Sequence, residues 1–327
     1  MSTETLVREL RADLADGGLR GSFLVRDLAS GQEVGIDPDR VFPIASLVKV
    51  PLAAVTLERI RRGELDGASQ VEVEPSGVTT PGPIGLTRFR HPARVAVDDL
   101  VYLSTSLSDG AAADVLFELT PPAEVTRMLD EWGVPGIAVR HLMRDLIDTP
   151  AERFESGDVD LAHALAIGAA TAGQGHRLAQ LDVTRANSAS ARALLDLLQA
   201  LWTPSKIDPA VAAGVRELMG LNVLRHRLTP DFASDASKWS SKTGTLLNLR
   251  HEAGVVEHAD GRAFGVVALT ESRVPAVLQP EAEVLMARVA RTLRDHLRAA
   301  GKPVGRGISA PRLRGCPSPD PNRRTTP

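Results

Sequence analysis

Cysteine is nearly absent from this sequence, which has one, Cys316, among 327 residues. A single thiol excludes an intramolecular disulfide framework and any metal site built from several thiolates. The eight histidines form no HExxH motif and no other close ligand spacing, so their pattern does not support a metalloenzyme. We therefore expect neither a metal nor another cofactor.

Long apolar runs are missing as well. No stretch approaches the roughly 18 consecutive apolar residues that a membrane-spanning helix needs. Residues 1–10 carry charges where a signal peptide would need an uninterrupted apolar run. These two absences predict a cytoplasmic protein with no membrane contact.

Neither sign of charge dominates, because 38 Lys and Arg residues face 41 Asp and Glu residues, for a net charge of -3. Nucleic-acid binding needs a concentrated basic face, so we expect no nucleic-acid partner. There is no Walker-type glycine loop.

With 43% hydrophobic residues the chain supports a sizeable core, which predicts a globular protein acting on a small molecule. The oligomeric state stays open.

Strand patterns lie at both ends of the sequence and helical patterns lie between them. Alternating apolar residues and turn signals predict a sheet from about 18–40 and 238–298, with a hairpin across Asp260-Gly261. Residues 62–95 are rich in Gly and Pro and are predicted to be irregular. Helical spacing is found at 4–16, from Ser46 to Ile60, and at 97–119, 186–202, 211–221 and about 280–300. The order predicts an α+β fold: an antiparallel sheet formed from N- and C-terminal segments, with an all-helical subdomain at about 62–225.

The composition changes after Gly301, where Pro, Arg, Gly and Ser dominate. Such segments bury too little apolar surface to fold alone. We therefore predict one domain at 1–300 and a disordered tail at 301–327.

Ser46 and Lys49 are three residues apart at the predicted start of a helix. That spacing places both side chains on one face. A serine hydroxyl is a poor nucleophile unless a base accepts its proton, and a lysine whose pKa is lowered by burial or by neighbouring cations can be that base. The spacing alone fits equally a surface serine followed by a solvated lysine.

Two further signals follow in order, Ser108-Asp109-Gly110 and Lys242-Thr243-Gly244. Each has a structural alternative. Ser108 and Asp109 could cap the helix that begins there. Lys242 could be an exposed lysine of an edge strand that is followed by a bulge glycine.

With these three motifs in this order, the chain resembles the serine β-lactamase and DD-peptidase superfamily, closest to its class A branch. The resemblance covers roughly residues 5–298. The flanks agree too, with Phe42-Pro43-Ile44-Ala45 before the serine, an Ala-rich helix after Asp109 and an apolar strand after Lys242. It implies a β-lactamase/transpeptidase-like fold, an acyl-serine intermediate, and a β-lactam or related ester as the substrate.

The resemblance also implies roles for single residues. Ser46 would attack the acyl carbon, Lys49 would take its proton, and Ser108 would relay a proton to the leaving group. The backbone N–H groups of Ser46 and Thr245 would stabilise the oxyanion. Lys242, whose charge would also lower the pKa of Ser108, would with Thr243 attract a substrate carboxylate.

Three further expectations concern the strands around these motifs. Gly244 would let a substrate approach the strand edge closely. Arg250 could add a second cation for the carboxylate, although a solvated strand residue explains it equally well. His251 and Glu252 are expected to form part of an exposed face as a cross-strand pair.

The sequence departs from class A relatives at two places. Gly110 replaces the asparagine of the second motif. Between residues 130 and 187, where class A enzymes carry a loop with a glutamate that activates the deacylating water, that loop's signature is missing and an Ala-rich stretch at 161–172 suggests an inserted helix. Asp148, Glu152 and Glu155 are possible replacements for the glutamate.

Acylation is therefore supported and rapid deacylation is not, because breaking an acyl-enzyme needs a positioned base for water. Three functions stay open. The first is a β-lactamase-type serine hydrolase of β-lactam amides. The second is an esterase or amidase on the same scaffold that does not turn over β-lactams. The third is a non-catalytic covalent ligand-binding or sensor protein.

Overall fold

The structure is a computed structural model that describes residues 1–74, 84–146, 164, 166–168, 175–176, 178–274 and 278–300. The predicted tail at 301–327 and most of the predicted inserted helix at 161–172 lie outside these residues. So do the three carboxylates proposed as deacylation bases, Asp148, Glu152 and Glu155. The last helix ends at residue 300, and the division of the chain at that point stays a prediction.

The strands of the described part assemble into three antiparallel sheets. The main sheet has five strands in the order β2-β1-β10-β9-β8, a second has the order β3-β7-β6, and β4 pairs with β5. In chain order they are β1 (Leu19–Asp27), β2 (Glu33–Ile36), β3 (Val41–Pro43), β4 (Gln70–Val73), β5 (Ala93–Ala96), β6 (Ile137–Ala138), β7 (Ser188–Ser190), β8 (Ser237–Leu246), β9 (Leu249–His258) and β10 (Ala263–Ser272). The main sheet joins both ends of the chain, which confirms the predicted α+β class.

Most helices of the described part lie between β2 and β8 in the chain. In chain order they are α1 (Thr3–Asp16), α2 (Lys49–Arg61), α3 (Val97–Ser106), α4 (Gly110–Leu119), α5 (Pro122–Trp132), α6 (Ala191–Trp202), α7 (Pro209–Gly220), α8 (Thr229–Phe232) and α9 (Pro280–Ala300). Among the residues described, none of these helices combines the length and the apolarity needed to cross a bilayer.

Apolar side chains cover both faces of the main sheet. Neighbouring residues of a strand point to opposite faces, so in β10 Val267 joins one hydrophobic cluster and Val266 the other. The first cluster packs the sheet against the helices between β2 and β8, among them α2 and α6. The second lies beneath α1 and α9. Both faces of the central strands are therefore shielded from water.

This double coverage contradicts the expected exposed pair at His251 and Glu252. Both residues lie in β9, between β10 and β8, and both are fully buried. The prediction was wrong because the alternation of a single strand does not reveal how many layers cover it.

Three predicted segments differ in detail. The region 97–119 is two helices, α3 and α4, which are separated by residues 107–109. The Gly- and Pro-rich region 62–95 contributes the β4–β5 pair. Helix α6 begins at residue 191, directly after β7. The break inside 97–119 matters most, because it contains Ser108.

Candidate active site

Ser46 lies in a three-ten turn, Ala45–Val48, that leads directly into α2. In such a turn residues three apart are eclipsed, so Ser46 and Lys49 follow each other on one side. The turn begins with Ala45 at φ 47°, a left-handed conformation that is uncommon for a residue with a side chain and recurs at functional sites. Ser46 is half-buried, and no described residue hydrogen-bonds its hydroxyl.

Lys49 is buried, with 1% of its surface exposed. Its Nζ donates to the carbonyl oxygen of Ser108 at 2.6 Å. Burial lowers the pKa of Lys49 to about 8, against the opposing attraction of Asp109 and Asp114. A solvated lysine, the alternative that the spacing left open, is therefore wrong.

Ser108 occupies the break between α3 and α4 and has a left-handed backbone with φ 63°. Its hydroxyl accepts a hydrogen bond from Lys242 Nζ at 2.8 Å, while its carbonyl accepts from Lys49. Asp109 is the residue that caps α4, because its Oδ1 accepts from the amides of Ala111 and Ala112. The left-handed turn thus connects Ser108 to both lysines.

Lys242 is fully buried although β8 is an edge strand of the sheet. Besides Ser108 Oγ, its Nζ donates to the carbonyl oxygen of Thr243 at 3.0 Å. Burial holds its pKa well below the ordinary value, and the nearby charges of Lys49 and Arg227 lower it further, whereas Glu252 opposes them. An exposed edge-strand lysine is therefore wrong as well.

Strand β8 approaches the Ser46 turn very closely at Gly244. A Cβ added at Gly244 would lie 2.8 Å from the carbonyl oxygen of Ile44. On the neighbouring strand, His251 Nε2 is 2.9 Å from the carbonyl oxygen of Pro43, and His251 Nδ1 accepts from the amide of Thr270 at 3.1 Å. Gly244 thus permits contact between the strand and the chain segment that carries Ser46.

His251 is a structural histidine. Because its Nδ1 accepts a hydrogen bond, the ring proton lies on Nε2, which donates to Pro43. Burial lowers the pKa of His251 to about 3, so the ring stays neutral. It ties β9 and β10 to the segment before Ser46.

An arginine that the sequence did not single out lies beside Thr245. The side chain of Arg227 is 3% exposed. Its guanidinium donates to the carbonyl oxygens of Gly244 and His251, both at 2.9 Å, and to Thr245 Oγ1 at 2.6 Å. No motif marks Arg227, which lies in the loop between α7 and α8 and reaches the strand only through the tertiary fold.

Arg250, the predicted second cation, is buried, with 7% of its surface exposed. It donates to the carbonyl oxygens of Leu247 and Leu249, at the turn between β8 and β9. Burial lowers its pKa to about 10, and Arg227 lowers it further. The solvated strand residue considered for this position is wrong.

Asp114, a second residue that the sequence did not single out, connects α4 with the segment after β6. Its carboxylate accepts from the amides of Met143 at 2.6 Å and Arg144 at 3.0 Å. Burial raises its pKa to about 6, while Lys49 is among the groups that lower it. A carboxylate within the apolar sequence of α4 was the signal that could have identified it.

The site thus brings two buried amines to Ser108, and one of them, Lys49, follows Ser46 by three residues. Such a group can move a proton between hydroxyls and attract an anion. In the described part of the chain, no group of three or more His, Cys, Asp or Glu side chains is placed to hold a metal ion.

Comparison with known proteins identifies a family and a similar relative. Residues 5–297 match the family model described as "Beta-lactamase enzyme family". The chain is 65% identical over 309 residues to the "Beta-lactamase regulatory protein BlaB" of Streptomyces cacaoi, which covers 91% of this chain and 99% of that protein.

Two solved structures share the fold at low sequence identity. A β-lactamase from Chitinophaga pinensis has a TM-score of 0.71 at 18% identity, covering 90% of this chain and 99% of that one. A mutant of PBP-A, in an acyl-enzyme complex with penicillin G, has a TM-score of 0.70 at 16% identity. The match covers 90% of this chain and 97% of that one. Since the family match spans nearly the whole chain and the fold agrees, the chain belongs to the beta-lactamase enzyme family.

Proposed function

We propose that this protein forms an acyl-serine at Ser46 with β-lactams and hydrolyses it as a β-lactamase-type serine hydrolase. One observation carries the proposal. Lys49 Nζ donates to the carbonyl oxygen of Ser108 at 2.6 Å and Lys242 Nζ donates to the Ser108 hydroxyl at 2.8 Å, and Lys49 follows the half-buried Ser46 by three residues. Two buried lysines whose pKa values are lowered at one turn are typical of a functional site.

The proposed reaction begins with attack by Ser46 Oγ on the carbonyl carbon of the β-lactam. The C–N bond of the ring breaks, and the hydroxyl proton of Ser46 ends on the leaving nitrogen, with Lys49 and Ser108 as carriers. A pKa of about 8 for Lys49 leaves about a tenth of this amine neutral at pH 7. That neutral fraction is the base for the nucleophile.

The substrate would lie along β8. Backbone N–H groups of Ser46 and Thr245 would stabilise the oxyanion, and Lys242, Thr243 and Arg250 would attract the carboxylate. Arg227 contacts Thr245 Oγ1 at 2.6 Å and brings to this strand a positive charge that its ion pair with Glu283, at 3.0 Å, partly offsets.

Intact-mass spectrometry after incubation with benzylpenicillin tests the first step. We expect a mass increase of one penicilloyl group, together with nitrocefin hydrolysis, and both should vanish in Ser46→Ala. Ser30→Ala, in an exposed turn, is the matched control and should behave like the wild type. Wild-type protein that stays unmodified with benzylpenicillin and with an activated ester, and that also hydrolyses neither of them nor nitrocefin, would refute the proposal.

A second candidate function is a covalent sensor that keeps its acyl group. The Streptomyces cacaoi relative, of similar length, is named a regulatory protein. The two carboxylates that act electrostatically on Lys49 are Asp109 and Asp114, and both already accept backbone N–H groups. Hydrogen bonds from backbone N–H groups stabilise the ionised carboxylate and so weaken it as a base for water.

The lifetime of the adduct separates the two functions. After excess β-lactam is removed, a hydrolase should return to its unmodified mass as the remaining acyl-enzyme is hydrolysed. A sensor should stay acylated for hours and show no steady-state nitrocefin hydrolysis.

A further inference from the structure

Glu252 is a fully buried carboxylate that the proposed reaction does not use. It lies in β9 opposite Thr243 of β8. Trp239 of β8, which donates a hydrogen bond to Glu252, belongs to the second hydrophobic cluster. Glu252 is therefore on the face of the sheet away from the Ser46 turn. A buried carboxylate without partners would be strongly destabilising, so Glu252 needs hydrogen-bond donors around it.

Three groups donate to Glu252. The amide of Leu228 is 2.8 Å from Oε2, and Trp239 Nε1 is 2.9 Å from Oε1. The Ser241 hydroxyl is the third partner. It accepts in turn from Asn222 Nδ2 at 3.2 Å, which leaves its own proton for Glu252. Burial raises the pKa of Glu252, and these bonds oppose that shift; with three donors converging on two oxygens, we assign the ionised form.

These contacts fasten both ends of the loop that carries Arg227. Asn222, at the start of the loop, is attached through Ser241, and Leu228, at its end, is attached to Glu252 directly. Arg227 is the residue immediately before Leu228. The side chain that contacts Thr245 is therefore held next to a backbone group bound to Glu252, in addition to its own ion pair with Glu283 of α9 at 3.0 Å.

The charge of Glu252 also acts on Lys242. Lys242 lies within electrostatic reach of two cations, Lys49 and Arg227, which disfavour its protonated form. Glu252 is the anion that favours it. A carboxylate on the far face of the sheet thus offsets part of the positive charge that the site accumulates.

We propose that Glu252 is a positioning residue for acylation, which holds Arg227 against Gly244 and Thr245 and stabilises the protonated amine of Lys242 without touching the substrate. The inference rests on the proposed function. It concerns recognition of the substrate carboxylate, so an anionic substrate should depend on Glu252 and a neutral one should not.

The test compares acylation rates of Glu252→Gln with benzylpenicillin, which is anionic, and with neutral p-nitrophenyl acetate, across pH. Removing the anion should slow penicillin acylation by about tenfold or more and change ester acylation by less than about threefold. The alkaline limb of the penicillin profile should also move to lower pH, because Lys242 then loses its proton more easily.

Two variants separate this role from a loss of folding. Glu271→Gln removes another buried carboxylate, in β10 and paired with Arg20, and should leave the ratio of the two rates unchanged. Trp239→Phe removes one hydrogen-bond donor to Glu252 but keeps the charge of Glu252. It should therefore leave the alkaline limb of the penicillin profile in place.

Equal losses with both substrates in Glu252→Gln, or an unmoved pH limb, would overturn the inference. Should Glu252→Gln fail to fold, an alkaline limb that moves in Trp239→Phe would overturn the inference instead. A wild-type protein that neither reagent acylates would instead overturn the proposed function, and the inference with it.

Discussion

Gly244→Ala is expected to slow acylation by displacing the Ser46 turn. The added methyl would lie 2.8 Å from the carbonyl oxygen of Ile44 and 3.3 Å from Leu47 Cγ. Ordinary contacts begin at 3.4 Å, so the strand and the turn must separate by about 0.6 Å, the difference between these two distances. The obstacle is backbone, which cannot rotate away as a flexible side chain would.

The size of the effect follows from that displacement. Inserting a methyl into a packed region costs about 1–3 kcal/mol, which lowers the melting temperature by about 2–8 °C. A misplacement of about 1 Å can reduce a rate about a hundredfold, so about 0.6 Å predicts a loss of tenfold or more in the acylation rate constant.

Stopped-flow or mass-resolved acylation by benzylpenicillin, with thermal unfolding in parallel, measures both effects. Gly214→Ala is the control, because its Cβ would meet only Leu57 Cδ1, the end of a side chain, at 3.2 Å. It should acylate at the wild-type rate. If Gly244→Ala melts earlier but acylates normally, the strand does not position Ser46 and the reasoning fails.

Three further predictions follow from single groups. The acylation rate constant should rise with pH through about 8, the pKa of Lys49, and fall about tenfold per unit below pH 7; a flat profile would exclude neutral Lys49 as the base. The pKa of His251 is lowered to about 3 in the folded protein, so between pH 7 and 5 only the unfolded chain binds a proton at this histidine. The free energy of unfolding should therefore fall by about 2 kcal/mol from pH 7 to 5. That part of the loss should be absent in His251→Gln and retained in His91→Gln, at an exposed site, as denaturant unfolding at each pH would show. Asp109→Ala should destabilise by about 1–2 kcal/mol through loss of the α4 cap, and Asp109→Asn should recover most of it; equal stability of all three proteins in urea would contradict this.

The helices and strands were largely predictable, because their signals are local. Leu6, Leu10 and Leu14 repeat with a helical period and are all buried in α1. The Asp260-Gly261 turn lies between β9 and β10, as its flanking strands suggested. Residues 97–119 were the exception. Continuous helical spacing concealed the break at Ser108, since the left-handed turn is held by lysines from distant parts of the chain.

The candidate site was predictable only as far as its motifs reach. Ser46, Lys49, Ser108 and Lys242 each stand in a short pattern with a chemical reason, and the structure brings the last three into contact. Arg227 has no such pattern and is found only through its contacts with Gly244 and Thr245.

The sequence by itself determined the alternation of strands and helices, the order of three short motifs and the family to which they point, since each depends on neighbours along the chain. The tertiary structure alone decided which polar groups are buried. Lys49, Lys242, His251 and Glu252 owe their shifted pKa values to desolvation, and desolvation depends on which segments, far apart in the chain, cover both faces of one sheet.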